Sequence, residues 1–216
     1  MPRPFLDAAL RHPIVLPDGS PHTGTVHLNQ VVDHPNFSIG DFSYYSGFET
    51  LTDYAASIAP YLYPGAPERL TIGKYCQVAH GARIITSSAN HAMDGFSTFP
   101  FAVFNRDLIG SYASTVGNHR DTEIGHDVWL GFESVVMPGV RIGNGVIIAA
   151  RTVVTRDVPD YAIIAGNPGQ IIRMRFSPEI VQRLMAVGWW DWEVEKIGRN
   201  VDAVTGADIA ALESAA

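Results

Sequence analysis

The stretch SSANHAMDGFSTFPF, residues 87–101, sets His91 among Asn90, Asp94 and Gly95 and follows it with an aromatic–proline cluster. The chemistry open to such an imidazole is proton transfer. A free imidazole titrates near pH 6.5, so at neutral pH it can take a proton from a hydroxyl and give it back. An alcohol is a poor nucleophile until its proton begins to leave, so acyl transfer to a hydroxyl calls for such a base. The chain has eight histidines, at 12, 22, 27, 34, 80, 91, 119 and 126. By position alone a surface or structural role is the default for each. The single cysteine, Cys76, leaves no intramolecular disulfide and no Cys-rich zinc site, and fits a reducing compartment.

The surroundings of that segment are regular. From Ile124 the chain reads IGHDVW, LGFESV, VMPGVR, IGNGVI, IAARTV, VTRDVP, with Ile, Leu or Val at every first position and Val, Ser or Thr at every fifth. Second positions are mostly Gly or Ala. The same phase appears upstream at IGDFSY (from Ile39) and at IGKYCQ, VAHGAR (from Ile72). Three such six-residue faces make one turn of a parallel β-helix, each face sending one aliphatic side chain inward. Coils stack at the strand-pairing distance of roughly 4.8 Å. Small second-position residues are expected at tight corners, where glycine tolerates unusual backbone angles.

The pattern divides the chain. Residues 1–36 are an N-terminal covering segment, 37–176 the β-helix, and 177–216 a C-terminal helical arm. Two excursions break the coils, at about 51–69 and 87–121. The expected fold is therefore all-β dominated, with a small α-helical segment at its end. Ser177 is suited to N-cap a helix with Pro178 in its first turn, and GWWDW (188–192) ends it. The arm is expected over the open end of the β-helix. Since aliphatics fill the coil interior, chemistry belongs on an outer face or on a loop thrown out between coils, and the second excursion carries His91.

Composition limits the rest. At 216 residues with a net charge of −7 and 17% charged residues, the chain is expected to be globular and not a nucleic-acid binder. It has no run of about 18 apolar residues to span a membrane. The N-terminal MPRPFLDAALRHPIVL has no uninterrupted apolar core, so a cytoplasmic location is expected. Between Met137 and Phe176 stand five arginines (141, 151, 156, 173, 175) and two acids (Asp157, Asp160). That local excess suits the phosphates of a nucleotide, or forms an ordinary solvated face.

Several motifs resemble those of the xenobiotic acetyltransferases, the hexapeptide-repeat family that includes type-B chloramphenicol and streptogramin A (virginiamycin) acetyltransferases. They are NHAMDGFSTFPF, IGDFSYYSG, IGKYCQVAHGARI, IGHDVWLG, MPGVRIGNGVIIAA, DYAIIAGNP, IRMRF and WWDW, in family order from Phe37 to Trp192. Phe96 is an insertion relative to the family, and NHAMDG leans towards the streptogramin branch. The resemblance implies a left-handed β-helix, a homotrimer with active sites between subunits, and direct transfer of acetyl from acetyl-CoA to a hydroxyl, with His91 as general base and no acyl-enzyme. It implies that backbone N–H groups hold the oxyanion. It also implies Tyr44, Tyr63 and Trp129 at the acceptor, although the two tyrosines could equally anchor loops. Beside CoA it implies Trp129 (for which packing is a rival role), Ala149, Ala150, Thr155, Arg156, Ala165, Gly166, Asn167, Pro168 and Arg173. No metal is implied. Two other readings stay open: an O-acetyltransferase for a sugar or another cellular hydroxyl compound, and a β-helix carbonic anhydrase using His80, His119 and His126. The acceptor's identity is not legible.

Overall fold

A computed structural model describes residues 5–112 and 119–216; the tips of the covering segment (1–4) and of the second excursion (113–118) lie outside the described residues. Among the described residues the strands form three sheets whose core strands run parallel. The first face holds β2 (Phe37–Ile39), β4 (Leu70–Ile72), β7 (Thr122–Ile124) and β10 (Arg141–Ile142). The second holds β3 (Tyr44–Ser46), β5 (Gln77–Ala79), β8 (Trp129–Leu130), β11 (Ile147–Ile148) and β13 (Ala162–Ala165). The third holds β6 (Arg83–Ile84), β9 (Val135–Val136) and β12 (Val153–Val154). Chain order visits the faces in turn, so the molecule is a three-faced coil.

The first hexad positions make the core. Ile39, Ile72, Ile124 and Ile142 pair in one column, Tyr45, Val78, Leu130, Ile148 and Ile164 in a second, and Ile84, Val136 and Val154 in a third. Nearly all are buried. Each covers the one beneath, at about 25 cal/mol per Å² of apolar surface removed from water. The period slips once. Val158, which the hexads put at a fifth position, bridges Ile142, and Ile164 pairs with Ile148, so the last coil is two residues short and Val158 takes a first position.

The corners differ from expectation. Left-handed backbone falls at the fourth hexad position: Phe42, Tyr75, Asp127, Gly145 and Tyr161 between the first and second faces, then Gly81, Glu133 and Arg151 between the second and third. Second-position glycines have another reason. A Cβ on Gly73 would lie 2.5 Å from the Gly125 carbonyl oxygen, and one on Gly131 2.5 Å from that of Ile148. They let coils approach, while the left-handed angle falls two residues later, mostly on larger residues.

The ends are closed by reversal. β1 (Thr25–His27) pairs antiparallel with β3, and β14 (Gln170–Met174) antiparallel with β13, so both edges of the second sheet are covered. In the first excursion α1 (Tyr54–Ile58), capped by Asp53, buries Tyr54 and Ile58 where the first coil has no third-face strand. The arm begins with α2 (Pro178–Val187), capped by the Ser177 hydroxyl and stopped by left-handed Gly188. It continues through α3 (Val194–Arg199), α4 (Val201–Thr205) and α5 (Ile209–Ser214). Trp190 stacks on His126, Trp189 leans on Tyr75, and Lys74 pairs with Asp191 at 2.8 Å. Trp189 and Trp190 thus lie against the flank of the middle coils, not over the open end, which β14 covers. Among the described residues no helix is long and apolar enough to cross a membrane.

Candidate active site

The second excursion leaves the coil after β6. Just before it, Ile85 N–H bonds to the next coil at the Val136 carbonyl, and Met137 N–H bonds likewise to Val154. Its root therefore stacks, coil by coil, above Thr155 and Arg156 in the corner between the third and first faces. The returning chain ends there too, with Arg120 reaching Asp157 at 3.7 Å. The Ser87 hydroxyl donates to the Arg120 carbonyl and accepts from the Arg120 N–H, both at 3.2 Å.

On that loop His91 is exposed, and its Nδ1 lies 2.9 Å from the Thr98 carbonyl oxygen. A carbonyl only accepts, so Nδ1 carries the proton and the neutral ring's lone pair is on Nε2. One bond thus fixes the ring's orientation and tautomer. Thr98 was not foreseen, because its backbone, not its side chain, does the work. Beyond it Phe99 meets Phe101 edge to face (4.8 Å) and stacks on Phe104 (5.2 Å), and all three rings are exposed, as are Met93 and Phe96. The loop's apolar side thus faces away from its own coils.

A second group of the expected residues meets on the second face. Paired positions run His27, Tyr44, Gln77, Trp129, Ile147, Ile163, Arg173 in one outward row. At roughly 4.8 Å per strand, Tyr44 and Trp129 stand about 10 Å apart with Gln77 between them. Trp129 is 49% exposed, too open for a packing residue of its own chain. Burial raises the pKa of the half-buried Tyr44 hydroxyl, leaving it a neutral donor. Ala149 and Ala165 follow this row on the same face, and Ala150 with Gly166, Asn167 and Pro168 occupy the corner beyond, where Val153 N–H bonds to the Gly166 carbonyl. Tyr63 sits apart, half exposed on the first excursion.

These groups are not adjacent within one chain. The corner between the third and first faces is opposite the second face, so His91, Thr155 and Arg156 spring from one side and Tyr44, Trp129 and Arg173 lie on the other.

The basic patch shrinks on folding. Arg141 meets Glu123 at 3.1 Å and Arg151 meets Glu133 at 2.8 Å, each acid coming from the coil three hexads earlier, and Arg175 meets Asp127 at 3.6 Å. Among the described residues no carboxylate pairs with Arg156 or Arg173, both exposed. Cys76 is buried, its Sγ 3.1 Å from the Gly125 carbonyl, and burial pushes its thiol up to about 12, which leaves no thiolate to form an acyl-enzyme. The three histidines of the metal reading lie in separate surroundings. His80 stacks on Phe132 with Nδ1 3.2 Å from the Tyr45 hydroxyl, His126 accepts the Lys74 N–H at 2.9 Å, and His119 is 3.5 Å from Glu68.

The chain is similar to known proteins along most of its length. The bacterial transferase hexapeptide model (six repeats) matches residues 121–156. The chain is 37% identical over 199 residues to a chloramphenicol acetyltransferase of Escherichia coli, covering 89% of this chain and 93% of that one. It is 36% identical over 194 residues to a virginiamycin A acetyltransferase of Staphylococcus aureus, covering 86% and 84%. It is 41% identical over 140 residues to a probable macrolide acetyltransferase of Lysinibacillus sphaericus, covering 64% and 78%.

Proposed function

Because the chain belongs to the hexapeptide-repeat xenobiotic acetyltransferases, we propose that this acetyltransferase moves the acetyl group of acetyl-CoA directly onto a hydroxyl of an antibiotic of the streptogramin A or chloramphenicol type, with His91 as the general base. The observation that carries the reading is the His91 Nδ1–H bond to the Thr98 carbonyl at 2.9 Å, which leaves Nε2 unprotonated on an exposed loop. Acetyl-CoA supplies the acyl group as a thioester. Nε2 takes the acceptor's O–H proton as the C–O bond forms; as the C–S bond breaks, the imidazolium returns that proton to sulfur. The ring ends neutral, and the products are an ester and a thiol.

Arg156 and Arg173 suit the phosphates, since their charge has no acidic partner among the described residues. The small side chains of Ala149 and Ala165 leave backbone open to an extended pantetheine arm. Tyr44, Tyr63 and Trp129 supply amphipathic rings for a large acceptor.

The active unit is a homotrimer of left-handed β-helices working in the cytoplasm. Its support is the placement of His91's root opposite the second face, together with the outward-facing apolar side of the excursion. Both halves meet when one copy's excursion reaches the second face of the next.

The test is thiol release from acetyl-CoA with chloramphenicol, streptogramin A and small hydroxylated metabolites as acceptors. General-base assistance is worth about 10²–10⁴-fold, so His91→Ala is expected to lose at least that factor in kcat. A near-normal rate in that variant refutes the assignment.

A further inference from the structure

Glu68 lies in the Tyr- and Pro-rich loop between α1 and β4, where the sequence singled out Tyr63 but not Glu68. Its side chain is nonetheless fully buried. The backbone under it is fixed, because Asn36 donates from Nδ2 to the carbonyls of Ala66 (2.7 Å) and Glu68 (2.9 Å). From this anchor the carboxylate reaches both ends of the second excursion. One oxygen accepts the Ser88 N–H at 2.6 Å; the other accepts the Ser88 hydroxyl at 3.1 Å and stands 3.5 Å from His119 Nδ1. Burial raises its pKa, but hydrogen bonds, those from Ser88 foremost, together outweigh this and hold it below the usual carboxylate value, so the group is ionised. A buried charge of this kind is costly to leave unpaired, which holds Ser88 to it, with His119 packed alongside.

The neck therefore has two closures. Ser87 and Arg120 make the first, and Glu68 makes the second, joining Ser88 to His119. Only Ala89 and Asn90 separate Ser88 from His91.

We propose that Glu68 is a positioning residue for acetyl transfer: its buried carboxylate ties the outgoing and returning ends of the excursion together and so holds His91 in place. This rests on the reading of His91 as the base. Glu68 touches neither substrate nor reacting atom and acts only through the loop. A displacement of about 1 Å at a reacting group can cost about 10²-fold in rate.

The experiment compares Glu68→Ala, Glu68→Gln and His91→Ala in the full-length enzyme. Measured are kcat, KM for acetyl-CoA, thermal unfolding, and cleavage within 88–119 under limited proteolysis. Glu68→Ala is expected to lose about 30- to 100-fold in kcat with KM for acetyl-CoA within about twofold, and to be cut faster in the excursion while the coils stay intact. Glu68→Gln keeps an oxygen for the Ser88 N–H and loses the charge facing His119, so it is expected to fall about 3- to 10-fold, a partial rescue. Should Glu68→Ala fail to fold, the glutamine variant decides. Full kcat in the folded variants, or a loss that follows coil unfolding and raises KM in parallel, overturns the proposal. An inactive His91→Ala beside a fully active Glu68→Gln sinks this inference alone. An active His91→Ala sinks the reading beneath it.

Discussion

At the scale of single residues, charge and its neutralisation separate the arginines. Arg156→Ala and Arg173→Ala are each expected to raise KM for acetyl-CoA about 5- to 20-fold, the loss of one charge-assisted contact. Arg141→Ala, which loses only its Glu123 partner, stays within about twofold. Steady-state kinetics against acetyl-CoA concentration tests both. The sequence could not sort these five side chains, because the acids that cancel three of them come from other coils and stand outside the window in which they were counted. The motif singled out His91 as the candidate base but not Thr98, since any residue offers a backbone carbonyl. Titration belongs at this scale too. Burial, more than the nearby charges, lowers the pKa of His126. The unfolded chain then binds a proton that the folded one resists. The stability contributed by the neutral ring is present above about pH 6.5 and is lost as pH falls through the depressed folded value. The melting temperature is expected to drop between pH 7 and pH 5, and His126→Gln to flatten part of that slope. An unchanged slope in that variant removes His126 from the account.

At the scale of elements, glycine means two things in this chain, and stability data can tell them apart. Gly73→Ala sets a methyl against the carbonyl of the next coil, where only backbone could give way. A cost of about 1–3 kcal/mol is expected from overpacking. Gly65→Ala, at φ +85° with open space around it, bears only the backbone term, about 1 kcal/mol. Denaturant midpoints of the two variants test the ordering. The inward aliphatic columns were readable because burial imposes a strict repeat. The roles of the second and fourth positions were not. Small size answers both for close approach and for left-handed backbone, and nothing in the letters of Tyr75, Glu133 or Arg151 announces a positive φ. The slip at Val158 was hidden because valine satisfies either phase. The helix from Pro178 was legible at both ends, since its cap and its stop are local chemistry.

At the scale of the whole molecule, the opposed placement of His91 and Trp129 makes a composite site testable by mixing. His91→Ala and Trp129→Ala subunits are each expected to be inactive alone. After joint unfolding and reassembly, random reassortment in a closed ring restores roughly a quarter of the sites with both halves intact. No recovery would mean that each chain completes its own site. This scale was the least legible, since hexads fix which residues point outward but not which face opposes which corner. The reversed strands β1 and β14 carry a consequence of their own. A repeating stack has no natural stopping point, and these two strands act as bookends that set its extent. Between them the second face works as a graduated ruler: inserting one whole turn between Trp129 and Arg173 would lengthen that span by about 4.8 Å and leave the pivot of the excursion untouched.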